Sequence, residues 1–207
     1  MLVKKLDVAI EANPDKEIYY LVRATSYQTL AKKELEIIHK QDSILFNLNK
    51  QLKSITDPKK KATLQIKLNE LKEKANKSKS TYELYSANCE RDYKKTIELN
   101  DGLFDAHYNL AAYYLDMAAP FTLILNDPNT SAKAYEDAEK AQAEFYKKAL
   151  ASFDAGLTVL KGETKLRIDV YYQMFKLYAR INEPEKAKDF KNKYEELKKQ
   201  YEAGEVK

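Results

Sequence analysis

The chain has 207 residues, 33% charged and 44% hydrophobic, with 36 Lys and Arg against 32 Asp and Glu for a net charge of +4. That balance belongs to a folded globular chain and excludes a disordered one. The single cysteine, Cys89, excludes an internal disulfide framework and any cysteine cluster for zinc or iron–sulfur binding, so neither metal nor redox chemistry can be built on cysteine. Only four Gly and five Pro interrupt long runs of Ala, Leu, Lys, Glu and Gln. No stretch alternates apolar with polar residues as a half-buried strand would, so the chain is expected to be all-helical.

In chain order, the first helix carries Leu2, Leu6 and Ala9 and closes at Pro14. Its start bears charges every few residues, unlike a signal peptide, and no run of apolar residues along the chain is long enough to span a membrane. A second helix follows with Tyr20, Arg23, Ala24 and Tyr27. From there a heptad-like seam continues through Ala31, Glu34, Ile38, Gln41, Leu45, Leu48, Leu52 and Ile55. It returns through Leu64, Leu68, Leu71, Ala75, Ser78, Tyr82, Tyr85 and Cys89. Between the two arms stands SITDPKKK, where Asp57 is suited to cap the returning helix and Pro58 to occupy its first turn. Pro58 is 31 residues from both Tyr27 and Cys89, the symmetry an antiparallel helical hairpin requires. At about 1.5 Å per residue such arms would reach roughly 45 Å.

Next comes Cys89, Tyr93, Thr96 and Asp101, then His107, Leu110, Ala111 and Tyr114. Pro120 is expected to kink or end that helix, with the uncharged Phe121–Leu125 beyond it expected to pack against the return helix, a contact surface for a partner being the alternative. NDPNTS supplies a turn, and the return helix bears the stripe Tyr135, Ala138, Gln142, Phe145 and Ala149. The last elements are Ala149, Phe153, Gly156 and Lys161, then Tyr171, Met174, Phe175 and Tyr178, with Ala187 beyond.

These spacings resemble the tetratricopeptide repeat (TPR) pattern, A-x3-F-x2-A-x4-P followed by W-x2-L-G-x2-Y. The residues are degenerate, with Arg23 and Met174 where Leu is usual and Lys161 where Pro is usual. Four second-helix halves alternate with three first-helix halves in the right order. Tyr27 and Cys89 are 62 residues apart and Tyr114 and Ala149 are 35 apart, which means insertions of 53 and 26 residues within the repeats. The resemblance implies an all-α, TPR-like solenoid of antiparallel helical hairpins with one long protruding hairpin. Its expected parts are a half repeat at 1–14, a repeat with a long insertion at 15–101 (arm about 31–81), a repeat with a shorter insertion at 102–161, and a C-terminal repeat at 162–203. Because the chain opens in mid-repeat, it is expected to be a piece of a longer protein. Long-inserted repeat proteins of this look are associated with bacteria, often with the cell envelope, which an upstream signal peptide would explain; the cytoplasm is the alternative.

No motif for phosphate cradling, metal-dependent hydrolysis or a serine nucleophile is present. His107 stands where the family places a large aromatic residue, His39 lies beside the seam, and Cys89 fills a small-residue slot. Acidic residues are interleaved with Lys at helical spacing, the pattern of a solvated face. No enzyme, cofactor or metal is expected.

The resemblance places the first helix of each pair along a concave groove. Residues at helical spacing beside the signature positions then face it: Leu21, Thr25 and Gln28; Asp105, Tyr108, Asn109, Ala112 and Asp116; Asp169, Tyr172, Gln173 and Lys176. Aromatic, amide and mixed charge suit a peptide or helix of a protein partner. Residues 31–81 hold thirteen Lys against six acids, a net of +7, leaving −3 elsewhere. The alternatives are therefore a basic arm that binds nucleic acid or another polyanion, or one that mediates self-association.

Overall fold

A computed structural model describes residues 2–206, which form seven α-helices. They are α1 (Leu2–Ala12), α2 (Glu17–Ser54), α3 (Pro58–Leu99), α4 (Phe104–Asn126), α5 (Ala132–Val159), α6 (Thr164–Arg180) and α7 (Pro184–Glu202). Consecutive helices pack as antiparallel pairs: α1 on α2, α2 on α3, α4 on α5 and α6 on α7, with a smaller contact between α5 and α6. The chain divides into two compact units, Met1–Asp92 and Tyr93–Lys207.

The first unit is dominated by the long α2–α3 hairpin, formed as the heptad seam implies. Ala31, Ile38, Leu48, Leu68 and Ala75 are buried, and the other seam positions between Glu34 and Tyr85 are half-buried. Most of the residues between them are exposed, so one line of side chains holds the arm together. Tyr27 and Tyr85 meet with ring centroids 5.9 Å apart, and Lys79 pairs with Asp42 across the outer arm at 3.7 Å. The reversal follows the sequence: Asp57 Oδ1 accepts from Lys59 N at 2.9 Å and Lys60 N at 3.3 Å, and Pro58 opens α3 where its missing N–H costs nothing. Gln41 departs from a well-satisfied seam, because its Oε1 is buried with no hydrogen-bond partner.

At the base of this hairpin sits a charge cluster. The Arg23 guanidinium forks onto Asp92, with Nε 2.6 Å from Oδ2 and Nη2 3.0 Å from Oδ1, and its Nη1 reaches Asp7 of α1 at 2.7 Å. Arg91 adds a second cation to Asp92 at 3.0 Å. The Asp92 side chain is 1% exposed and that of Arg23 11%, so this ion pair is dry and bidentate. Burial alone would lower the Arg23 pKa, but the hydrogen bonds to Asp92 and Asp7 outweigh it and raise the value above the ordinary one. Arg23 thus answers the buried Asp92 carboxylate, to which a leucine at this position would offer no partner. Leu6 of α1 is buried, Ala9 is half-buried and Leu2 is 54% exposed.

The second unit owes its close packing to small and aromatic residues in alternation. Ala106, Ala111 and Ala118 on α4 and Ala149 on α5 have no exposed surface. A Cβ on the buried Gly156 would sit 3.2 Å from His107 Cβ and 3.4 Å from Phe104, so glycine sets how near α5 comes to α4. Large rings fill what remains: Phe153 lies edge-on to Tyr108 at 5.7 Å, and Phe145 packs with Tyr114 and Phe121 at 6.5 and 6.1 Å. In the last pair, Phe190 of α7 stacks on Tyr178 at 5.4 Å and meets Tyr171 edge-on at 5.8 Å. Asn182, at φ 58°, takes the left-handed turn that closes α6 before Pro184 opens α7.

Pro120 does not end its helix. α4 continues through it to Asn126. Proline removes the N–H that would bond the Asp116 carbonyl. Gln142 of α5 reaches into this region, its Nε2 donating to Thr122 Oγ1 at 2.9 Å and Ala118 O at 3.3 Å. Together with the Phe121–Phe145 stack, that holds the segment against α5. The stretch beyond proline is divided, with Phe121 turned to α5 and Leu123 and Ile124 64% and 39% exposed.

Candidate interaction site

In the second unit, α4 and α6 supply the residues expected to face a groove. Along α4, Tyr108, Ala112, Leu115, Ala119 and Thr122 recur at steps of three and four and share one face. Leu115, Ala119 and Thr122 line a cleft of about 180 Å³ with Gln173, Lys176, Leu177 and Arg180 of α6 and Tyr146 of α5. Arg180 Nη1 donates to the Tyr146 hydroxyl at 2.5 Å, so one wall is fixed by a hydrogen bond from the helix it faces. The lining is part aliphatic, from Leu115, Ala119 and Leu177, and part polar or basic, from Thr122, Gln173, Lys176 and Arg180.

Of the sequence-predicted residues, Gln173 and Lys176 lie in this cleft. Tyr172 lies beside it, 39% exposed, with the Lys176 ammonium 5.0 Å over its ring and Tyr194 of α7 at 5.2 Å. Tyr108 and Asp169 sense one another across α4 and α6. Burial raises the Tyr108 pKa, and the Asp169 charge raises it further. The Tyr108 ring is half-buried between Phe104 (5.6 Å) and Phe153 (5.7 Å), which makes it part of the α4–α5 packing as well as of this face. Asn109, Ala112 and Asp116 are half-buried and Asp105 and Asp169 exposed. Leu21, Thr25 and Gln28 belong to the first unit and follow one another along α2, where Thr25 Oγ1 bonds the Leu21 carbonyl at 3.0 Å.

Sequence reasoning missed Leu115, Ala119, Thr122 and Arg180, although three- and four-residue steps from Ala112 and Lys176 lead to them. It also missed a larger cleft of about 510 Å³, lined among others by Leu150, Asp154, Tyr178, Lys186 and Phe190. There Lys186 is paired with Glu183 at 2.9 Å and lies over the Tyr178 ring at 5.3 Å. Burial raises the Tyr178 pKa. These polar groups already serve one another.

His107 is buried, with Nε2 2.8 Å from the Asp101 carbonyl oxygen, so it ties the α3–α4 connection to α4. His39 is exposed on the arm. Among the described residues no group of His, Cys, Asp and Glu is arranged to hold a metal ion, and no helix is long and apolar enough to cross a membrane. No family model and no curated protein sequence matches the chain, so the likeness to tetratricopeptide repeats stands on residue spacing.

Proposed function

We propose that this chain is a non-enzymatic interaction scaffold built of TPR-like hairpins. It holds a peptide or helix of a partner protein on the α4–α6 face, along the α2–α3 arm, or on both. The observation that carries this reading is the cleft between α4 and α6. Its lining combines aliphatic side chains with amide, ammonium and guanidinium groups, the mixture that grips a peptide backbone and an acidic side chain. The spacing supports the same reading: Ala24, Cys89, Ala111 and Ala149, the small residues of the repeat-like pattern, are fully buried at helix contacts.

The test is retention of a partner from a lysate of the native cells by the full chain, compared with Gln173→Ala/Lys176→Glu and with a chain whose residues 31–81 are replaced by a short turn. Lys176 is exposed and Gln173 half-buried on the cleft wall, and neither packs in the core, so the fold is kept, whereas Tyr108→Glu would put a charge into the α4–α5 packing. The reading predicts a specific protein held by the full chain and lost with at least one variant. A chain that retains no protein, or the same set in all three forms, overturns it.

A further inference from the structure

The end of the α2–α3 arm is a patch of unopposed positive charge. On α5 and α7, lysines stand one turn from carboxylates and pair with them, as Lys140 does with Glu136, Lys147 with Glu144 and Lys193 with Asp189, at 2.7, 3.0 and 2.7 Å. Residues 50–67 instead hold Lys50, Lys53, Lys59, Lys60, Lys61 and Lys67 against Asp57 alone, a net of +5. All six lysines are exposed, and among the described residues none of them pairs with a carboxylate. Asp57 is already engaged, accepting from the backbone N–H groups of Lys59 and Lys60. Lysines crowded at one end repel one another, a repulsion that an anionic partner relieves.

The same end is also apolar. Ile55 at the reversal and Leu64 of α3, both half-buried, line a cleft of about 330 Å³ together with Thr63, Lys59, Lys60 and Lys67. Lys59, Thr63 and Ile66 follow one another at helical steps, and Ile66 is 62% exposed. Lysine stems lie along aliphatic surface of this kind while their ammonium groups reach outward. From Tyr27 to Ser54, α2 runs about 40 Å at ~1.5 Å per residue, so the patch sits at the far end of a two-helix rod.

We infer that the arm tip docks on an anionic lipid bilayer, with its lysines among the headgroups and its isoleucines at the acyl boundary, without crossing the membrane. A lysine cluster beside a small aliphatic surface is what interfacial attachment uses: charge brings the tip to the lipid, and aliphatic burial holds it there. Nucleic acid fits less well. Residues 47–81 contain no Arg and no aromatic side chain to stack on a base, and Ile55, Leu64 and Ile66 would have no role.

The full chain is sedimented with vesicles of phosphatidylcholine containing about 30% phosphatidylserine, and with vesicles of phosphatidylcholine alone, at about 0.1 M salt. Binding is expected only with phosphatidylserine, and is expected to weaken by about tenfold or more with Lys59→Glu/Lys60→Glu/Lys61→Glu. Lys133→Glu/Lys161→Glu/Lys188→Glu changes the net charge equally but off the arm, and is expected to weaken binding far less. All these side chains are exposed and glutamate suits the first turn of α3, so the fold is kept, which circular dichroism checks. The chain has no tryptophan, so Ile66→Trp supplies a lone reporter whose emission is expected to shift to the blue on anionic vesicles. Leu123→Trp, at a 64% exposed position near the end of α4, is expected not to shift. No binding to the anionic vesicles overturns the inference, as does equal binding to phosphatidylcholine alone or equal weakening by the two triple substitutions. A blue shift at Leu123→Trp without one at Ile66→Trp overturns it too, as does a DNA duplex that binds more tightly than the vesicles through the same lysines. The α4–α6 cleft plays no part in this docking, so either result leaves the scaffold reading to its own test.

Discussion

The outer arm and the α4–α7 unit are both helical hairpins, yet they are held together in different ways. In α4–α7, Phe153, Met174, six alanines and Gly156 are buried among rings that touch more than one neighbour. In the arm each layer is a single contact between two helices, and Ile37, Ile44, Phe46 and Ile66 stand outside the seam, at least 40% exposed. A two-helix layer has no third element to share its burial, so its stability is local and its opening need not involve the rest of the chain. Tight packing leaves α4–α7 suited to present a fixed cleft, while the arm offers length and charge.

Phe153→Ala is the sharpest probe of the packed unit. Phe153 is 2% exposed, and its loss should cost about 3–5 kcal/mol in denaturant unfolding. Leu68→Ala, at an equally buried arm position, should instead remove amide exchange protection from both arms around it while protection in α4–α7 is kept. Loss of protection across both regions would show that the two are not independent. At the base of the hairpin, Arg23→Ala should cost about 3 kcal/mol, because it removes the bidentate cation from a carboxylate that is 1% exposed. Arg23→Leu should do no better, since it too takes the guanidinium away from the buried Asp92 carboxylate.

The smallest effect is with pH. Burial raises the pKa of Tyr27, Tyr108 and Tyr178 above the ordinary 10.0. A raised folded-state value contributes stability fully below the unfolded pKa and loses it as pH climbs through the folded one. Melting temperatures should therefore fall above pH 10, and Tyr108→Phe should flatten part of that fall in α4–α7 without changing the arm.

Much of this architecture was legible because it depends on local spacing. The seam from Ala31 to Tyr85, the Asp57 cap and the Pro58 start are all sequence-near patterns, and each formed as read. What escaped depends on pairs far apart in sequence. Arg23 reads as a degenerate repeat residue until Asp92, 69 residues on, closes around it. Pro120 reads as a helix end until Gln142 and Phe145 of α5 are placed beside it. Gln173 and Lys176 were found on the cleft because they flank buried Met174 and Leu177 at helical spacing. Arg180, one helical turn beyond Lys176, was passed over; its bond to Tyr146 of α5, 34 residues away in sequence, holds it to the wall.

The most direct measurement is hydrogen exchange of the full chain with and without the partner it retains from native lysate. The scaffold account predicts slowed exchange in α6 around Gln173–Lys176, along the α2–α3 arm, or in both. Slowing confined to α5 and α7, around Asp154 and Lys186, would place recognition on the opposite cleft and contradict it.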